Sequence, residues 1–260
     1  MTEEGAPREI PWAVRIGEAD GEALAALVEE HLESFHEREI LLVLKHPFVT
    51  PEIVEKILRL RTLLRVRTVR RALAEHPSTP RAEALHVLED LPWRDLAAVA
   101  REVRSPGPVR QAANRRLLAM LGLLSRGEKT ALARLADRDL FLPLLEENDP
   151  MVLEALGQNP RLVPDDVVRW LTVGRPGAPA LEALAAMTRW SARPGVREAL
   201  IRHPRTPRGA ALGLLVAATR AEWLRLAEDE TLPPLLAAWV RRLLEFRTPF
   251  VDRGVKRVLT

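Results

Sequence analysis

Cysteine and tyrosine are absent from this 260-residue chain, and only four of its 39 basic Lys and Arg residues are lysine. Without cysteine there is no disulfide framework, no thiolate nucleophile and no sulfur-built zinc site. That composition fits a reducing cytoplasm, the compartment expected here. Long apolar runs are missing too: arginine or glutamate interrupts each one before it reaches the roughly 20 residues of a membrane-spanning helix. The start Met1-Thr2-Glu3-Glu4 lacks the basic and apolar order of a secretory signal, so no membrane association is expected. Groups that lose protons between pH 7 and the arginine range are scarce, so a small excess, +3 at pH 7, erodes slowly and lifts the pI to 9.9 without a strong global field. Also lacking are a glycine-rich phosphate loop, a Gly-x-Ser-x-Gly elbow and paired metal-ligand motifs. No catalytic residue, cofactor or metal is therefore expected.

What the chain does contain is a repeat. Residues 69–88 read V-R-R-A-L-A-E-H-P-S-T-P-R-A-E-A-L-H-V-L, and a copy returns 127 positions later; over 69–117 against 196–244, sixteen of 49 positions are identical without a gap. Val69, Ala72, Leu73 and Ala74 have helical spacing, and the run stops at His76-Pro77, where the proline ring excludes continuation. Thr79 and Pro80 are the expected cap and first turn of a second helix, which carries Ala84, Leu85 and Leu88. The unit is an αα-hairpin. Longer versions of the turn occur at His46-Pro47-Phe48-Val49-Thr50-Pro51 and Asn159-Pro160-Arg161-Leu162-Val163-Pro164, 113 apart. The difference between the two shifts puts 14 extra residues in the second half, within 172–191, where Gly174, Pro176, Gly177 and Pro179 indicate a longer connection.

No alternating apolar pattern is long enough for a sheet, so the expected fold is all-α: a solenoid of αα-hairpin repeats in two internally duplicated halves. Residues 1–19 have no helical period and read as an extended arm whose Trp12 packs on the body. The repeat body is expected over 20–246, with halves of about 20–124 and 125–246, and 247–260 as a tail. Asp20, Asp149 and the Ser125…Glu128 capping box are expected helix starts, while Asp165 and Asp166 complement a helix dipole.

The turn pattern, helix, His or Asn, Pro, one or two residues, Thr, Pro, helix, with Val-Arg pairs upstream, resembles bacterial HEAT-like α-solenoids of the leucine-rich-repeat-variant type over roughly 36–246. That resemblance implies an interaction scaffold. One HEAT-like branch, the AlkD-like DNA glycosylases, also implies that such a fold can hold DNA and excise bases.

Three groups of residues are candidates for chemistry. His46, His76 and His203 each precede a turn proline, but Asn159 fills the same place, and asparagine cannot titrate while it can hydrogen-bond local backbone. Structural turn duty is the expectation. Trp93 beside Asp95 has the residue types of a pocket for a cationic flipped base, yet Trp93, Trp170, Trp190, Trp223 and Trp239 fall where large side chains fill gaps between helices. Core packing is expected of them. The segment Arg59, Arg61, Arg65, Arg67, Arg70 and Arg71 places six arginines in thirteen residues with no acid among them. Arg70 recurs as Arg197 and is expected to be structural. Arg65, Arg67 and Arg71 align with Ala192, Pro194 and Glu198 and are not required by the repeat, and a helical projection exposes Arg67 and Arg71. Arg59, Arg61, Arg65, Arg67 and Arg71 are thus the candidate site for an acidic partner or phosphate, against the alternative of a merely solvated face. The first functional expectation is a non-enzymatic scaffold for a protein partner. Nucleic-acid binding through the arginines comes second, and base excision third.

Overall fold

The computed structural model of the protein describes residues 11–255, and every regular element among them is a helix. None of the described helices is long and apolar enough to cross a membrane. The backbone divides after Gly122 into two compact units. The first holds α1 (Trp12–Glu18), α2 (Gly21–His31), α3 (Glu37–Lys45), α4 (Pro51–Arg59), α5 (Arg67–Glu75), α6 (Arg81–Glu89), α7 (Trp93–Arg101) and α8 (Gly107–Met120). The second holds α9 (Arg126–Leu135), α10 (Phe141–Glu146), α11 (Pro150–Gly157), α12 (Pro164–Val173), α13 (Ala178–Ala186), α14 (Thr188–Ser191), α15 (Pro194–Arg202), α16 (Arg208–Ala217), α17 (Arg220–Ala227) and α18 (Pro234–Val255).

Duplication appears in the packing itself. In the first unit α5 pairs with α6 and α7 with α8, while α5 lies against α7 and α6 against α8. The second unit repeats this with α15 and α16, α17 and α18, α15 against α17, and α16 against α18. Two layers result because each helix turns one apolar stripe to its hairpin partner and to the next hairpin. Val69 and Leu73 of α5 and their copies Val196 and Leu200 of α15 are fully buried, as are Leu117 of α8 and Val240 of α18.

Three expected segments take another form. Trp12–Glu18 is a helix rather than an extended arm: Pro11 supplies its start, Ile16 is buried, and Trp12 sits 5.2 Å from Phe35 and 4.8 Å from His31 between ring centroids. Residues 1–10 of that expected arm lie outside the described residues. Residues 247–255, expected as tail, continue α18, and 256–260 again lie outside. The insertion within 172–191 is no open connection but α13 and α14; Pro179 occupies the first turn of α13, where its missing N–H costs nothing, and Ala180, Leu181 and Leu184 are buried. Helix α13 packs on α11, α15 and α16.

The expected caps at Asp20, Ser125 and Asp149 all form: Asp20 accepts from the Ala23 amide, Ser125 from Glu128, and Asp149 from Met151 and Val152. Asp166 accepts from the Val163 amide at 3.3 Å. Thr79 and Thr206 do not cap. Helices α6 and α16 begin one residue later, after Pro80 and Pro207, and each threonine hydroxyl instead donates backward at 2.6 Å, to the carbonyls of Leu73 and Leu200. Backbone bonds explain the reversal. The amides of Thr79 and Thr206 close the turn on the carbonyls of His76 and His203, a place held in the longer turns by Val49 and Leu162. Thr50 stands one residue further on and does cap, accepting from the Ile53 amide at 3.5 Å.

Candidate site in the arginine segment

Helix α4 ends at Arg59, a 3₁₀ turn spans Leu63–Arg65, and α5 starts at Arg67, so the six arginines straddle a bend. The bend sorts them into two groups. Arg59, Arg61, Arg65 and Arg70 line an open concavity of about 920 Å³ with Leu58 and Leu64, and α6 contributes Glu83, His86 and its C-cap Asp90. Those three residues are three and four apart, the spacing of one helix face. Arg70 is held there by Asp90 at 3.5 Å. Arg59, Arg61 and Arg65 are exposed and make no ion pair with any described residue.

Arg67 and Arg71 turn the other way, to the N-terminal turn of α7. Arg67 Nε lies 2.8 Å from Asp95 Oδ2, and Arg71 Nη1 donates to Asp95 Oδ1 at 3.5 Å. The Arg67 approach is off the line a hydrogen bond needs, so Oδ2 is held by charge alone. Asp95 has a side chain only 4% exposed. Two arginines assigned to a solvent-facing surface therefore anchor a buried carboxylate, although Arg67 itself stays 58% exposed. The projection placed their Cα atoms correctly but not the long side chains, which reach along the surface to a neighbouring helix.

The second unit builds the same anchor from different atoms. Glu222, at the position of Asp95, takes a bidentate pair from Arg197, at the position of Arg70, with Nη2 2.8 and 2.9 Å from the two oxygens. Both side chains are buried. Burial pushes the Glu222 carboxyl up, but the amide and hydroxyl of Thr219 and the Arg197 guanidinium together outweigh it and hold the group below the usual carboxylate value. The acid is one methylene shorter in the first unit, and there it meets Arg67 and Arg71 instead of Arg70. Arg70 thus keeps a structural partner, but a different one from Arg197. The sequence carried a signal: Asp95 and Glu222 are both acids under the 127 shift, a match that counting identities discards.

Compared with known protein families, curated proteins and solved structures, the chain matches none.

The other candidates settle by geometry. His46, His76 and His203 accept through Nδ1 from the amides of Phe48, Ser78 and Arg205 at 3.3, 3.1 and 3.2 Å. Asn159 Oδ1 does the same from Arg161 at 2.9 Å. No three His, Asp or Glu among the described residues are placed to hold a metal ion. Trp93, Trp170, Trp190 and Trp223 are buried in the core, whereas Trp239 is 41% exposed on α18, contrary to expectation. Asp95, facing two arginines beside a buried Trp93, does not present a carboxylate to an open pocket.

Proposed function

We propose that the protein is a non-enzymatic α-helical repeat scaffold that docks a protein partner in the concavity between α4, α5 and α6, in keeping with its resemblance to HEAT-like repeats. The observation that carries this reading is that Arg59, Arg61 and Arg65 are exposed on one open concavity without an acid partner among the described residues. Acidic side chains of a partner supply the missing charges. Glu83 and Asp90 on the same wall, and the apolar Leu58 and Leu64, favour a polypeptide over a nucleic acid. A uniform polyanion is repelled by two carboxylates and gains nothing from two leucines, whereas a peptide of mixed charge can use all of them.

The test compares wild type with Arg59→Gln/Arg61→Gln/Arg65→Gln, using fluorescence anisotropy with a poly-glutamate peptide and a duplex DNA over a range of salt. The triple variant is expected to fold as wild type, since these side chains hold nothing in the fold, and to lose most of its affinity for the acidic peptide. Tighter binding to DNA, with a log-affinity against log-salt slope that falls by up to about 3 in the variant, would replace this reading with phosphate-backbone binding. Unchanged affinity for both probes would reduce the segment to a solvated face.

A further inference from the structure

A second concavity, of about 280 Å³, lies where the turns after α3, α5 and α7 come together, at the other end of α5 from the arginine-lined one. Its polar lining is Lys45, His46, Glu75, His76, Ser78 and Arg104, the last with its Nε on Glu102 at 3.4 Å, and its apolar wall includes Leu41, Leu44 and Val49. The turn hydrogen bonds dictate what the histidines offer. Because Nδ1 of His46 and of His76 accepts a backbone amide, each neutral imidazole carries its proton on Nε2, and that N–H is the only imidazole group left for a ligand. Burial, with Arg104 nearby, depresses the His76 pKa and favours this neutral form.

The inventory is therefore five donor side chains, two of them cationic, one carboxylate acceptor and an apolar wall. We propose that this groove binds the C-terminal residue of a peptide. Its carboxylate is taken by Lys45, Arg104 and the two imidazole N–H groups, its backbone N–H by Glu75, and its apolar side chain by Leu41, Leu44 and Val49. A simple anion meets Glu75 as a like charge, offset only by Arg71 at 3.5 Å, and leaves the wall bare. A cation meets Lys45 and Arg104. A chain-terminal residue satisfies all three parts at once, and the volume suits one residue rather than a folded partner. The site is separate from the arginine concavity and does not rest on the reading given for it.

The second unit supplies the natural control and the natural substitution. Asn159 makes the same turn bond as the histidines through Oδ1, so His76→Asn keeps the turn and removes only the Nε2 donor. The experiment titrates the full chain with N-acetyl-leucine, N-acetyl-leucinamide and acetate, following the histidine Cε1–H resonances by NMR. N-acetyl-leucine is expected to shift His46 and His76 saturably and to leave His203 unmoved, with the amide and acetate doing neither at the same concentrations. His76→Asn is expected to weaken binding about tenfold or more, the loss of a hydrogen bond to a charged group, and His203→Asn not to change it. Lys45→Gln, an exposed side chain, weakens it too and decides the matter should His76→Asn fail to fold. Absence of saturable shifts, equal shifts with acetate, or full affinity in the folded His76→Asn or Lys45→Gln variant would each overturn the proposal.

Discussion

A single residue type, histidine before proline, shows how the same atom serves turn and titration. The Nδ1 lone pair of His76 and of His203 accepts an amide two residues on, and protonation would destroy that acceptor. Burial first, and then Arg104 and Arg205 respectively, lower both pKa values below the usual 6.5. A group with a depressed folded pKa adds stability that is complete above its unfolded value and is lost as pH falls towards the folded one. Urea midpoints are therefore expected to drop as pH falls below about 6.5, and His76→Asn/His203→Asn is expected to flatten that drop. A drop of the same size in the double variant would place the titration elsewhere. Glu75 runs the opposite way: burial raises its pKa, Arg71 opposes, and Glu102 and Asp95 reinforce the rise. Stability tied to Glu75 is present at low pH and lost as pH rises through its raised value, so Glu75→Gln is expected to be stabilising at pH 7 and closer to neutral at pH 4.

At the scale of the helix and its turn, one inserted residue changes which way a threonine faces. In the short turns the hydroxyl of Thr79 or Thr206 donates to the last turn of the helix before it, giving the Leu73 or Leu200 carbonyl a second donor beside the amide of His76 or His203 at 3.3 Å. In the longer turn Thr50 accepts from the helix after it. Aspartate separates the two roles because its carboxylate accepts and cannot donate. Thr50→Asp is expected to be neutral or stabilising, as at any N-cap. Thr79→Asp is expected to destabilise by about 2 kcal/mol or more, since it buries an unsatisfied charge against the Leu73 carbonyl, which keeps only the His76 amide; a Thr79→Asp protein as stable as wild type would restore the capping role. Sequence could read the existence of these turns, because proline position and apolar period are local. It could not read the hydroxyl's direction, which depends on whether the turn closes at Thr79 or, as in the longer form, at Val49. Nor could it see that α13 fills the insertion, because Gly174, Pro176 and Gly177 precede a helix as readily as they extend a loop.

Over the whole molecule, the gap-free shift of 127 was legible because duplicated cores preserve residue type at buried positions such as Val69 and Val196. The arginine site was legible only in part. Clustering was visible along the chain, but Asp95, 24 positions from Arg71, lay on a different helix, and its two partners were not separable from Arg59, Arg61 and Arg65 until α7 was placed. What the two units share is a buried acid at the start of the third helix of the repeat, answered by arginine from the first: Asp95 on α7 with Arg67 and Arg71 on α5, Glu222 on α17 with Arg197 on α15. Each anchor is complete within its own unit, and each unit has its own buried core. Fragments 1–122 and 123–260 are therefore expected to be separately helical, with cooperative urea transitions. In the second fragment Arg197→Met leaves Glu222 buried with only the Thr219 contacts, which is expected to cost roughly 3–5 kcal/mol, whereas Arg197→Met/Glu222→Leu recovers most of it because no lone charge remains. In the first fragment Arg67→Gln/Arg71→Gln is expected to destabilise strongly, while Arg59→Gln/Arg61→Gln/Arg65→Gln leaves the midpoint in place. Equal effects of the double and triple variants would mean that the bend does not divide the segment into structural and surface arginines, and a fragment without a cooperative transition would mean that its core is not sufficient by itself.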